Sequence, residues 1–169
     1  MVTLLLMRHG ETPDNVNLIM QGQTQGQLNA NGIRQAQEVS DRLAACHLDA
    51  VIASDLRRAV STAEIVAQPH KLAVATTPLL RERDWGDFTG CYIPTLQDKP
   101  LPANVETLEQ LLCRARRFLD FIQQEYEGKT VLAVGHGIIN KAIQAVYYQC
   151  AMRDVQKMTN AEIRSLTLA

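Results

Sequence analysis

Three short apolar runs limit what this chain can become: Val2 to Met7, Ala50 to Ala53 and Val131 to Val134. Each has the length of a strand and none alternates polar with apolar residues, so each must be covered on both faces. Helical patterns lie between them. Gly32 to Cys46 places Ile33, Ala36, Val39 and Leu43 on one face, and a second helix is expected from about Leu56 to Ala67. Val105 to Tyr126 carries Leu108, Leu111, Leu112, Ala115, Leu119 and Ile122 at helical spacing. Strand alternating with helix predicts an α/β protein, here a single three-layer α/β/α domain with a mostly parallel central sheet. Leu72 to Thr76, followed by Pro78, reads as a short strand toward a sheet edge, and Glu162 to Leu168 alternates as a half-exposed terminal strand does.

A chain of 169 residues, 46% hydrophobic and 21% charged, suits one domain over residues 1–169 with a substantial core. Its formal charge of -1, without a long run of like charge, argues against nucleic acid or an anionic membrane as a partner. Cys46, Cys91, Cys113 and Cys150 form no CxxC pair and have no His at ligand spacing, so no metal site is expected. Cys113 falls within a helical pattern and is expected to be a core thiol, with Cys91 and Cys150 the candidates for exposure. A reduced, cytoplasmic protein is the expectation. The run Val2 to Met7 ends at once in Arg8 and is too short for a signal peptide or a membrane span. Oligomeric state is left open, the terminal strand being the only edge that suggests pairing.

The first apolar strand empties into Arg8-His9-Gly10-Glu11-Thr12, and Val131 to Val134 empties into Gly135-His136-Gly137. In open α/β sheets, ligands bind outside the carboxyl ends of the strands, so two of the four histidines occupy equivalent, ligand-ready positions. A lone His is more often a hydrogen-bonded structural residue, as His47 and His70 in their polar connections are expected to be. Glycines on both sides of His136 remove the packing reason for an imidazole and let backbone N–H groups approach an anion. Ser54-Asp55-Leu56-Arg57-Arg58-Ala59 follows a strand and opens a helix, where free N–H groups and a guanidinium favour phosphate. Asn15 to Asn31, rich in Gln, Asn and Gly, and Gly86 to Pro102, with three prolines and two glycines, read as long functional loops.

Four motifs in order carry a resemblance: Arg8-His9-Gly10-Glu11; Ser54-Asp55-Leu56-x-Arg58-Ala59-x-x-Thr62-Ala63; Glu82-x-x-x-Gly86-x-x-x-Gly90; and Gly135-His136-Gly137. Together they resemble the phosphoglycerate mutase-like branch of the histidine phosphatase superfamily, over nearly the whole chain from Leu4 to the final strand. The Gly22-Gln23-Thr24 turn and Leu28 also fit that pattern. The chain departs from it at Gln25, where Asp is usual, at Gln27, where Pro is usual, and at Lys141, where Arg is common. The resemblance implies that His9 is a nucleophile and that Arg8, Arg58 and His136 surround a phosphoryl group. It further implies that Glu82 is the acid and base, preferred over Asp84 by its spacing to Gly86 and Gly90, and that Asn15 and Gly137 bind substrate.

These residue types suit the reaction. A phosphomonoester brings about two negative charges, which Arg8, Arg58 and a protonated His136 would offset. The nucleophile must be a neutral imidazole whose other nitrogen is held as a donor, for instance by a backbone carbonyl near Gly10. Neither metal nor cofactor is expected, and the expected partner is a small phosphorylated substrate. Only Cys91 to Asn104 separates the Gly90 loop from the next helix and no segment follows the last strand, so water is expected to reach phospho-His9 and hydrolysis to win. The alternatives are a cofactor-dependent phosphoglycerate mutase-type phosphotransferase, a protein phosphohistidine phosphatase, and a non-catalytic phosphate-binding module. Trp85, Phe88 and Tyr92 are candidates for an apolar wall beside the pocket, with core packing as the rival reading for Trp85 and Phe88.

Overall fold

A computed structural model describes all 169 residues. The strands are β1 (Val2–Arg8), β2 (Ala50–Ser54), β3 (Val74–Thr77), β4 (Thr130–Gly135) and β5 (Ile163–Leu168). The helices are α1 (Pro13–Asn17), α2 (Ala30–Leu43), α3 (Arg57–Ala67), α4 (Leu108–Glu125) and α5 (Gly137–Tyr148). The strands form one sheet in the order β3-β2-β4-β1-β5, parallel except for β5, which runs antiparallel to β1 at one edge. The expected α/β domain with a mostly parallel sheet is the observed one.

The apolar runs explain the layering. Strand side chains alternate between faces, so Val2, Leu4 and Leu6 of β1 join Val131 and Ala133 of β4 against α4 and α5, through Leu111, Phe118, Ile122, Ile139 and Ile143. Met7 of β1 and Leu132 and Val134 of β4 face the other way, onto Val39 of α2 and Ala59, Ala63 and Val66 of α3. The central stretches of β1 and β4, Leu4–Met7 and Val131–Val134, are therefore apolar at every position, whereas the edge strand β5 alternates toward its end. The buried Leu166 and Leu168 of β5 are separated by exposed positions.

Several expected boundaries shift. α2 starts at Ala30 because Asn29 caps it, accepting from Gly32 N–H at 2.7 Å, and it ends at Leu43 rather than Cys46. Its buried stripe is Gly32, Ala36, Val39 and Ser40, while Ile33, in the first turn, is 51% exposed. α4 begins at Leu108, behind a capping box of Thr107 and Gln110, which leaves Leu108 outside the core. Cys113 is exposed, correcting its reading as a core thiol: two residues on from the buried Leu111, it lies about 200° around the helix. β3 runs from Val74 to Thr77, slightly later than expected, and takes the predicted edge. The loop expected from Asn15 to Asn31 contains the end of α1 and the start of α2, and the one from Gly86 contains two 3-10 turns, Gly86–Phe88 and Ile93–Leu96. No helix is long and apolar enough to cross a membrane.

Gly10 and Gly32 let the loop after β1 and the first turn of α2 touch. A Cβ on Gly32 would overlap the carbonyl and amide of Glu11, and one on Gly10 would sit 2.6 Å from the Gly32 oxygen. Alanine in a helix ordinarily stabilises by roughly 1 kcal/mol relative to glycine. Gly32→Ala is expected to do the opposite, destabilising by roughly 1–3 kcal/mol because backbone must move. A lowered urea midpoint at unchanged slope checks this, and an unchanged or raised midpoint would refute it.

Candidate active site

The register of the two central strands builds the site. Arg8 of β1 stands opposite Gly135 of β4, so the next residues, His9 and His136, leave the sheet side by side. His9 N–H donates to the Gly135 carbonyl at 3.1 Å, and the two imidazole centroids lie 5.1 Å apart, edge to face. Ser54, at the end of β2 on the other side of β4, bonds His136 Nε2 at 2.8 Å. Both rings are buried.

The tautomer of His9 follows from its partner. His9 Nδ1 is 2.6 Å from the Gly10 carbonyl, which can only accept, so Nδ1 carries the proton and Nε2 keeps its lone pair. Nε2 has no protein partner, and His9 lines a cleft of about 250 Å³. This is the backbone restraint expected near Gly10. Ser54 Oγ accepts from Leu56 N–H at 3.2 Å and keeps both a proton and a second lone pair for His136 Nε2, so this bond suits either tautomer of His136.

Two guanidinium groups close in on the pair. Arg58, on the first turn of α3, is buried and donates to the carbonyls of Gly22 (2.8 Å), Gln25 (3.3 Å) and Thr24. Arg8, the last residue of β1, donates to the Met158 carbonyl at 2.7 Å. Neither forms a salt bridge with a carboxylate. Arg8 Nε, Arg58 Nε and His136 Nδ1 are all buried without a hydrogen-bond partner. A folded protein leaves few such donors orphaned, so three around one imidazole mark a place for an acceptor-rich group. Burial pushes Arg58 down to about 10 and lowers Arg8, yet both stay charged at neutral pH.

Burial first, and the neighbouring arginines second, hold His9 and His136 well below the usual 6.5. Without an anion beside it, burial therefore favours the neutral form of each ring, and the fixed positive charge belongs to the arginines. The expected anion site at the start of α3 is corrected. Gln25 takes the first amides of that helix, with its side-chain oxygen on Arg57 N–H (3.0 Å) and its carbonyl on Arg58 N–H (3.2 Å). The Ser54 to Ala59 segment contributes the Arg58 side chain rather than its helix terminus.

Glu82 follows a 3-10 turn, Pro78–Leu80, and enters the cleft opposite His9. Its Oε1 accepts from the amides of Arg83 (2.9 Å) and Ile139 (3.0 Å), and Oε2 from that of Ile138 (3.1 Å), so it caps α5. A carboxylate offers about four acceptor positions, and the one left open is on Oε2. Gly137 opens α5, where an added Cβ would lie 3.5 Å from Arg8. Asn15 lines the cleft with its oxygen accepting from Thr12 N–H (3.1 Å) and Asn160 (3.1 Å), and its amide nitrogen has one long bond, 3.5 Å, to Gln21. Asp84, the rival carboxylate, caps Gly86 N–H at 2.9 Å and is not among the cleft residues.

Three supporting residues escape sequence reading. Arg114 of α4 pairs with Glu106 at 2.8 Å and donates to the carbonyls of Leu79 (2.9 Å), Arg81 (2.6 Å) and, at 3.4 Å, Glu82 itself. Asn160 donates to the His9 carbonyl at 3.2 Å. Lys157 reaches the cleft beside Arg8, and burial lowers its ammonium. Each acts across more than 30 residues of sequence, and no spacing pattern signals it. Trp85 lines the cleft and Tyr92 is 49% exposed beside it, while Phe88 is buried.

Comparison with known proteins fits this geometry. The family model for the histidine phosphatase superfamily, branch 1, matches residues 4–169. The chain is 38% identical over 141 residues to the "uncharacterized phosphatase PhoE" of Bacillus subtilis, covering 81% of this chain and 72% of that protein. It is 30% identical over 185 residues to a metal-independent phosphoserine phosphatase of Arabidopsis thaliana, covering 98% and 76%. Among solved structures, mycobacterial glucosyl-3-phosphoglycerate phosphatase complexed with VO3 superposes with a TM-score of 0.90 at 26% identity, covering 98% of this chain and 92% of that one. The chain belongs to branch 1 of the histidine phosphatase superfamily, the phosphoglycerate mutase-like branch, and is a hydrolase of that family.

Proposed function

We propose that the protein hydrolyses a small phosphomonoester in two steps through a phosphohistidine on His9. The observation that carries this reading is the set of three buried, partnerless nitrogens, on Arg8, Arg58 and His136, gathered around an imidazole whose free Nε2 opens to the cleft. A phosphoryl group has three equatorial oxygens to satisfy such donors, and its charge in the transition state is what preorganised donors stabilise. In the first step His9 Nε2 forms the N–P bond as the ester P–O bond breaks, and Glu82 delivers a proton to the leaving oxygen. In the second, Glu82 takes a proton from water, whose oxygen forms a new P–O bond as the N–P bond breaks. The open acceptor position on Oε2 suits that exchange, because the other three are committed to backbone amides. Asn15 and Gly137, beside Arg8, complete the phosphate cradle in this reading.

The primary test is phosphate release from a panel of phosphomonoesters and a phosphohistidine peptide, with EDTA present. His9→Ala should lower turnover at least a thousandfold, on the order expected for loss of a nucleophile, and acid-labile label from a 32P-ester should vanish with it. Activity near wild type in this variant would refute the nucleophile. Transfer of label to a second phosphoglycerate, in place of release, would mark a mutase.

Glu82→Gln should harm alkyl phosphates at least tenfold more than p-nitrophenyl phosphate, whose leaving group needs little protonation. Equal losses would assign Glu82 to positioning alone.

Neutral His9 also makes stability depend on pH. The unfolded chain protonates its histidines near 6.5, whereas burial lowers both folded values. Above about 6.5 the full stability is present; as pH falls toward the folded values, the unfolded state gains protons the native state refuses. Unfolding free energy should decline between pH 6.5 and 5 by up to about 1.4 kcal/mol per pH unit for each histidine. Urea titrations of wild type and His136→Asn check this, the variant showing the shallower decline. Identical slopes would contradict it.

A further inference from the structure

We propose that the alcohol portion of the substrate is apolar and lies in a groove running outward from the phosphate cleft. This rests on the phosphatase reading of that cleft and goes beyond it by naming the kind of ester.

The groove, about 600 Å³, adjoins the cleft and shares three lining residues with it: Met20, Trp85 and Ile93. Phe88, Leu96 and Leu101 extend it. Its one charged lining residue is Lys99, so the ends of the combined site differ in kind: fixed positive charge around His9, hydrocarbon beyond. Most ligand pockets pair such an apolar body with a few placed polar groups. Glu82 and Trp85 both line the cleft, and Trp85 also lines the groove, so an ester with its oxygen at Glu82 has the indole within the same site.

The walls are built rather than incidental. Segments 18–20 and 90–93 pair through an isolated bridge between Ile19 and Tyr92. Met20 N–H donates to Cys91 O at 2.9 Å, Ile93 N–H to Leu18 O at 2.8 Å, and Gly90 N–H to Met20 O at 2.8 Å. This frame fixes Met20 and Ile93 at the junction of cleft and groove. Arg83 lies 4.6 Å from the Trp85 ring centroid, restraining the indole. Ile93 and Leu101 nevertheless remain 41% and 57% exposed. An apolar residue held as Ile93 is, with Leu101 also left open beside the cleft, fits a ligand that covers both. Lys157, on the side of Arg8, supports the competing class, an ester bearing a second anion.

The test is calorimetric titration of the full chain with non-hydrolysable alkylphosphonates from ethyl to hexyl, alongside phosphate release from the matching alkyl phosphates and from phosphoserine. Each methylene entering the groove should tighten Kd by about threefold, so hexyl should bind at least tenfold more tightly than ethyl. Ile93→Ser and Leu101→Ser should each cut that hexyl-to-ethyl ratio by at least threefold. A flat series, a ratio unchanged in both variants, or phosphoserine turned over better than hexyl phosphate would overturn the proposal. Release from ethyl phosphate with a flat binding series would defeat the groove and spare the phosphatase. A rising binding series without release from any ester would support the groove and defeat the phosphatase.

Discussion

Two arginines, Arg58 buried and Arg8 half-buried, stand beside two buried imidazoles with no carboxylate in a salt bridge to either, and form the constraint around which the rest of the molecule is arranged. An isolated buried cation is strongly unfavourable, and here the compensation comes from main-chain carbonyls. Gly22, Thr24 and Gln25 turn their oxygens toward Arg58, and Met158 turns its own toward Arg8. The loop between α1 and α2 and the segment before β5 are thereby shaped by the charges they hold. Carbonyl dipoles solvate the guanidinium groups without neutralising them, so Arg8 Nε and Arg58 Nε are left for an anion.

Glu82 forms no salt bridge with either arginine, although its charge acts on both. Three backbone amides, two of them at the start of α5, hold the carboxylate in place instead. The segment that carries it is fixed from behind by Arg114, whose charge is balanced by Glu106. Glu106 also ties down the next turn, accepting from Asp84 N–H at 3.1 Å. Glu82 and the two arginines thus stand in one cleft on separately anchored segments, with one acceptor position of the carboxylate left free.

The strand runs and the helix stripes were legible because burial on two faces leaves no room for polar residues. The failures have equally local causes. Ile33 shares the face of the buried Ser40 seven residues on, but it lies in the first turn of α2, where no core element covers it. Cys113 lies inside an apolar-rich helix, yet the angle from Leu111 takes it to solvent. The start of α3 had the composition of an anion site, and Gln25, distant in sequence, occupies its amides. The protonation of His136 responds to burial beside two arginines, which favours the neutral ring and which local sequence does not display.

By itself the sequence determined the alternation of strand and helix, the two histidines at strand ends, and the motif order that carries the family resemblance. All of these depend on residue types within a few positions of one another. Only the tertiary structure decided the register that sets His9 beside His136, the protonation of each ring, the capping of α5 by Glu82, and the supporting roles of Arg114, Asn160 and Lys157. Those depend on which atoms are brought within about 3 Å from distant parts of the chain and on how much water is left around them, and neither quantity is written in local sequence.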